Sequence, residues 1–332
     1  EGAQRSIRKS SGNGNNTKTV NERRRKMTTK SRNARSGRMT KENRTYAIIL
    51  LPFMLLFFIF TILPVLASVF LSLFDYDTVS APIFSGFDNY LRMFVSDQTF
   101  PAVIGNTLEI AVITGPISFF LAFILAWMIN EFSPVVRSIL SFLFYAPALV
   151  GNAYYIWQIA FSGDSLGYIN NFLTSFGFIT TPIQWFKDTR YNMIIIMVIL
   201  LWMSMGVSFL SNIAGLQNVN SELYEAGAID GIKGRWAELW YITLPSMKDI
   251  LLFSAVMQIQ TVFAVGSVIT QLAGYPSSNN SVDTIVSLIT DVGTERYPMG
   301  YASALSVVLF LMVLFVRFVV GGLLKLIGRQ ER

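Results

Sequence analysis

Ser221-Glu222-Leu223-Tyr224-Glu225-Ala226-Gly227-Ala228-Ile229-Asp230-Gly231-Ile232 opens a polar island, residues 217–249, that runs on to Trp240-Tyr241-Ile242-Thr243-Leu244-Pro245 between two long apolar stretches. Its pattern predicts two short helices with a glycine turn between them. Ser221 takes the N-cap position, and Glu222 and Glu225 favour the first turn through the helix dipole. Gly231 and Gly234 interrupt the segment. Pro245 suits the start of the next helix, where its missing N–H is not needed. Ala226, Gly227 and Ala228 leave a small-residue surface that another protein's backbone could approach closely, while Glu225 and Asp230 offer carboxylates to a basic partner. The island reads as a docking element.

Outward from the island the chain turns apolar. Of its 332 residues 52% are hydrophobic and only 14% charged, against about a quarter charged in a soluble domain. A membrane-spanning helix needs about 20 predominantly apolar residues. Six stretches qualify: residues 46–74, 103–129, 136–161, 191–216, 250–272 and 301–327. None shows the short alternating pattern of a membrane barrel, and helices close their own backbone hydrogen bonds in lipid. The expected fold is therefore all-α, with six transmembrane helices. The prolines Pro52, Pro64, Pro116 and Pro147 are expected to kink or bound helices.

Charge sets the orientation, because cytoplasmic loops carry the excess of Lys and Arg. Residues 1–44 hold 14 Lys/Arg and 3 Asp/Glu, which leaves the tail at +11 and the remaining chain at −5. With the tail inside, Arg137, Lys233, Arg235, Lys248, Lys325, Arg329 and Arg332 join it. Only Arg92, Lys187, Arg190 and Arg296 lie outside, among many acids. Both termini are expected in the cytoplasm, and the island is then the large cytoplasmic connection between helices four and five. The tail is rich in polar residues and nearly free of large apolar ones, so it reads as a disordered segment ahead of a permease domain at 45–328 and a short C-terminus at 329–332. It serves topology, or alternatively contacts anionic lipid or steadies a partner.

Absent residue types exclude chemistry. With no cysteine and no histidine, disulfides, thiolate nucleophiles, Cys/His zinc sites and imidazole acid–base catalysis are all ruled out. No Gly-x-x-x-x-Gly-Lys-Ser/Thr loop is present, so ATP-driven work would need an ATPase on a separate subunit.

Glu225-Ala226-Gly227 with Asp230-Gly231, followed by Ile242-Thr243-Leu244-Pro245, resembles the EAA loop of permease subunits of binding-protein-dependent ABC sugar importers, the maltose and multiple-sugar type. The resemblance implies a coupling helix that inserts into a cleft of an ATPase subunit. Glu225, Ala226, Gly227, Asp230, Gly231, Ile242, Leu244 and Pro245 would be its coupling residues. Gly227 stands where a second alanine is usual, Ile232 replaces another alanine, and the interval from Gly231 to Ile242 is one residue longer than the usual pattern. Further segments carry the same resemblance: Ser85-Gly86-Phe87-Asp88-Asn89-Tyr90 with Asn106-Thr107-Leu108, Gly167-Tyr168-Ile169-Asn170 with Trp185, and the run from Gly300-Tyr301 to Phe310.

What the resemblance implies is a transport subunit in a bacterial cell membrane and not an enzyme. It would work by alternating access beside a second, distinct permease. Its other partners would be an ATPase dimer holding ATP and Mg, an extracytoplasmic solute-binding protein, and a carbohydrate, an oligosaccharide or polysaccharide fragment. Neither a cofactor on this chain nor a nucleic-acid partner is implied.

Polar groups within spans are costly unless they face a cavity or another helix. Asn152, Tyr154, Tyr155, Gln158, Ser204, Ser208, Gln258, Gln260 and Gln271 are accordingly pathway candidates, and each could equally be interhelical glue. A rival reading, an ion-gradient-driven carrier, would need charged groups deep in the spans. Glu109 and Arg317, near span ends, are the nearest to that.

Overall fold

The computed structural model describes Tyr46 and residues 48–327, with side chains as far as Gly322. The expected tail at 1–44 and the C-terminus at 329–332 lie outside the described residues. The chain divides into two compact units, one running to Ala67 and one from Ser68 onward. The first holds most of α1 (Ile48–Leu71), whose π-turn at Phe58–Ile62 lies just ahead of Pro64. Pro64 offers no N–H to the Phe60 carbonyl, and a π-turn absorbs that lost bond.

The second unit opens with a two-stranded antiparallel ladder, β1 (Phe74–Asp75) with β2 (Ile83–Phe84), and a short helix α2 (Asp88–Leu91). The 31-residue α3 (Phe100–Asn130) follows. Next come α4 (Pro134–Leu149), α5 (Tyr154–Ala160), α6 (Tyr168–Ser175), α7 (Asn192–Met203) and α8 (Val207–Gln217). The polar island folds as α9 (Ser221–Ile229) and α10 (Arg235–Glu238), the latter continued by a π-turn at Leu239–Thr243. Then α11 (Lys248–Phe263), α12 (Gly266–Ala273), α13 (Ile285–Thr290) and α14 (Met299–Ile327) complete the described chain.

Among the described residues four helical stretches are long and apolar enough to cross a membrane: α1, α3, α11 with α12, and α14. Two more are bent pairs, which bring the number to six if each pair is one span. The single helices expected at 136–161 and 191–216 are each a bent pair. The first bends by 83° between α4 and α5, where Val150 goes extended after Pro147 and ahead of Gly151. The second bends by 42° between α7 and α8, at Ser204-Met205-Gly206. Hydropathy carries no information on direction, so both stretches read as continuous.

Small residues let α3 lie against α8 and α11. Ala122 and Ala126 of α3 are fully buried with Phe123, Phe209, Ile213 and Leu216. A methyl on Gly215 would fall 2.8 Å from Met247 and 3.0 Å from Ile250. Close backbone approach of this kind replaces the hydrophobic drive that lipid cannot supply. α14 packs on α11, and the three helices α3, α11 and α14 line an open apolar groove of 400 Å³ whose lining includes Pro116, Phe120, Val262 and Phe315.

Candidate functional site

The island stands at one end of the helices. Its N-cap is Asn220, not Ser221: the Asn220 side chain accepts the Glu222 N–H at 3.0 Å, and Ser221 is the first helical residue. Gly231 and Gly234 supply the turn, with φ of +88° and +89°, where a side chain would be strained. Pro245 lies in a separate turn, Leu244–Ser246, which Met247 divides from the start of α11 at Lys248.

Two contacts seat α9 on the segment that follows. Gly227 is buried against Ile242, and a methyl there would fall 2.6 Å from the Ile242 Cδ1 atom. The Tyr224 and Thr243 hydroxyls lie 2.9 Å apart. Ile242, buried, and Leu244, half-buried, belong to this seat. The rest of α9 faces outward: Glu225, Ala226, Ala228 and Asp230 are exposed, and Ile229 is 87% exposed. Neither Glu225 nor Asp230 makes an ion pair among the described residues. The exposed face of α9 therefore carries an apolar side chain, Ile229, between two carboxylates that make no ion pair among the described residues.

The pathway candidates separate into two sets. Ser208 and Gln258 are buried and bonded to each other: the Ser208 hydroxyl donates to Gln258 Oε1 at 2.8 Å, and Gln258 Nε2 donates to Ser118 Oγ at 2.6 Å. One amide thus ties α8, α11 and α3 together. Ser204, also buried, donates to its own helix at Leu201 O. Asn152, Tyr155, Gln158, Gln260 and Gln271 are instead exposed on the surface of this chain. Gln158 Nε2 donates to the Gln271 carbonyl at 3.4 Å, which joins α5 to α12, and buried Tyr154 donates to Asn152 at 3.3 Å. Glu109 and Arg317 are exposed and make no ion pair among the described residues.

Ser118, Ser254 and Asn212 were not singled out in the sequence. Ser254 donates to Ser208 O at 3.4 Å, and Asn212, fully buried one helical turn after Ser208, continues the same polar face. The i, i+4 spacing of Ser208 and Asn212 was the available signal.

At the opposite end, polar side chains serve the fold. Asn170 is fully buried and donates to the carbonyls of Ser162, Asp164 and Ile183, while its oxygen accepts from the Ile183 amide and the Trp185 indole. Asn89 donates to the Ser72 and Phe74 carbonyls, and Gly300 lies so close that a methyl would meet Phe74 O at 2.0 Å. Asn106 holds the carbonyls of Asn280 and Asp283, and Thr107 accepts the Ile285 amide. The motifs thus form three separate loop staples: 85–90 with 300–301 on the end of α1 and β1, 106–108 on residues 280–285, and 167–170 on residues 162–164 and 183–185. Burial works to raise the Asp97 carboxyl, but the Tyr301 hydroxyl at 2.5 Å and the Thr99 and Phe100 amides hold it below its usual range. Burial pushes the Asp283 carboxyl up against the lowering effect of the Ser277 amide.

No protein-family model matches the sequence. Curated relatives do. The chain is 30% identical over 273 residues to the lactose transport system permease protein LacF of Rhizobium radiobacter, covering 80% of this chain and 89% of that one. It is 31% identical over 278 residues to the sulfoquinovosyl glycerol transport system permease protein SmoG of Agrobacterium fabrum, covering 81% and 86%. The chain belongs to the ABC sugar transporter permeases. This permease also shares its fold with a chain in the crystal structure of a bacterial alginate ABC transporter in complex with alginate pentasaccharide-bound periplasmic protein. That likeness has a TM-score of 0.71 at 22% identity and covers 87% of this permease and 96% of the other chain. The permease is a multi-pass membrane protein, and its relatives are transport subunits.

Proposed function

We propose that this chain is a permease subunit of an importer in a bacterial cytoplasmic membrane, carrying an oligosaccharide or polysaccharide fragment by alternating access. The bent pairs then count as single spans, giving six, with both termini and the 217–249 loop in the cytoplasm. The chain works with a second, distinct permease, an ATPase dimer that binds ATP and Mg, and an extracytoplasmic solute-binding protein. The observation that carries this reading is α9: a helix seated by one glycine contact and one hydroxyl pair, with its apolar tip and carboxylates turned outward. α9 is the coupling helix, and Glu225 and Asp230 meet basic groups on the ATPase.

The exposed Asn152, Tyr155, Gln158, Gln260 and Gln271 support a route at the face shared with the second permease. Polar groups at membrane depth avoid lipid by facing a cavity or another helix. Aromatic rings stack on the apolar face of a sugar, and amides pair with its hydroxyls. ATP does no chemistry on the sugar; the work rests on unequal affinity for two conformations. Uptake of a glycan panel into proteoliposomes holding the complete complex tests this. Uptake that requires enclosed ATP and ignores ionophores supports the importer; uptake abolished by ionophores and indifferent to ATP supports the ion-driven carrier.

A further inference from the structure

The second helix of the loop is rooted in the membrane domain along a line of three contacts. Deepest is Leu239, 6% exposed, in the cluster with Ala126 and Ile129 of α3. Above it the Trp236 ring lies 5.3 Å from the ring of Trp127 on α3, with the planes tilted by 50°. At the surface Arg235 forms ion pairs with Glu131, the C-cap that follows α3, and with Glu238 at 3.1 Å. A 290 Å³ crevice lies behind these groups, lined also by Asn130, Tyr224 and Thr243. By contrast, α9 reaches α10 through the glycine turn at Gly231 and Gly234, where nothing lies within 4 Å of an added Cβ, and through its seat on Ile242 and Thr243.

A push on α9 would be lost in that turn unless the far side of the loop were fixed. α3 is the natural receiver: it is about 46 Å long at 1.5 Å per residue, and through Ser118 it holds the Gln258 amide that links α8 and α11. We propose that Arg235 and Trp236 are positioning residues that lock α10 to Glu131 and Trp127, so that displacement of the loop reaches α3 as movement of a rigid body. This rests on the reading of the loop as the ATPase-coupling element. An exposed ion pair adds little to folding stability, so its effect is read in coupling.

The experiment uses the complete complex in lipid and reads sugar moved per ATP hydrolysed. Glu131→Arg and Arg235→Glu, each alone, lower that ratio about threefold to tenfold while the ATPase still copurifies. The exchanged pair again sets one cation between two carboxylates and returns the ratio to within about twofold of wild type. Trp236→Phe keeps the ratio and Trp236→Ala lowers it. Should either charge reversal fail to assemble, Glu131→Gln and Arg235→Gln carry the same expectation of a lowered ratio. An exchanged pair as poor as the single changes overturns the proposal. So do single changes that run at the wild-type ratio while Gly231→Pro abolishes transport, a result that leaves the coupling loop intact. If Gly231→Pro also transports normally, the coupling reading falls with it.

Discussion

The two ends of the molecule use polar side chains in opposite ways. At one end Asn89, Asn106 and Asn170 are spent inside the chain, each on backbone carbonyls or amides of the connecting segments, and the Asn170 amide oxygen also takes the Trp185 indole N–H. At the other, Glu225 and Asp230 of α9 are exposed and unpaired among the described residues. Buried polar groups that find every partner fix a shape; exposed ones with none inside the chain are available to something outside it. The contrast separates motif residues that hold the fold from motif residues that the proposed coupling role would set against a partner, although all of them belong to segments that carry the same family resemblance.

Four substitutions break or sharpen that contrast. Asn170→Ala strands three carbonyls, an amide and the Trp185 indole in a buried site, and a loss of about 3 kcal/mol or more is expected, seen as a collapse of folded yield by fluorescence-detected size exclusion. Gly227→Val forces branched carbons onto Ile242; overpacking of this kind costs about 1–3 kcal/mol, and thermal unfolding of the purified complex would show it together with lost transport. Glu225→Ala changes stability by no more than about 0.5 kcal/mol, as exposed positions do, yet abolishes sugar-stimulated ATP hydrolysis.

The smallest effect is a pH dependence. Burial raises the Asp283 carboxyl, so the folded loop holds this proton more tightly than the unfolded chain. That contribution is fully present below the unfolded value of about 4 and is lost as pH rises through the folded value. Limited proteolysis of the 274–284 loop should therefore slow as pH falls from neutral towards that range, and Asp283→Asn should flatten the trend. Asp97, held low by its hydrogen bonds, contributes with the opposite sign: its share is lost as pH falls through its folded value.

Hydropathy made the membrane architecture legible almost to the residue: 103–129 against Phe100–Asn130, and 250–272 against Lys248–Ala273. It could not show the bends at 150–153 and 204–206, because Pro147, Gly151 and Gly206 permit a bend without setting its angle. The two helices of the loop were legible because Glu222 and Glu225 favour a first turn and Gly231 and Gly234 interrupt the segment. Gln258 stood out as an amide in a span, but its partners, Ser118 and Ser208, lie 140 and 50 residues away in sequence. Serine within a helix usually bonds its own preceding carbonyl, so Ser118 gave no sign of a role across helices. Arg235 and Glu131 each looked like an ordinary surface charge until the fold set them side by side.

The coupling role of α9 is tested most directly by ATP hydrolysis of the copurified complex in lipid, with and without its binding protein and a glycan panel, comparing wild type with Glu225→Ala plus Gly231→Pro. The account predicts hydrolysis that rises with binding protein and one class of glycan and collapses in the variant while the subunits remain folded. Hydrolysis and transport unchanged in the variant, or a wild-type chain with which no ATPase copurifies, would contradict it.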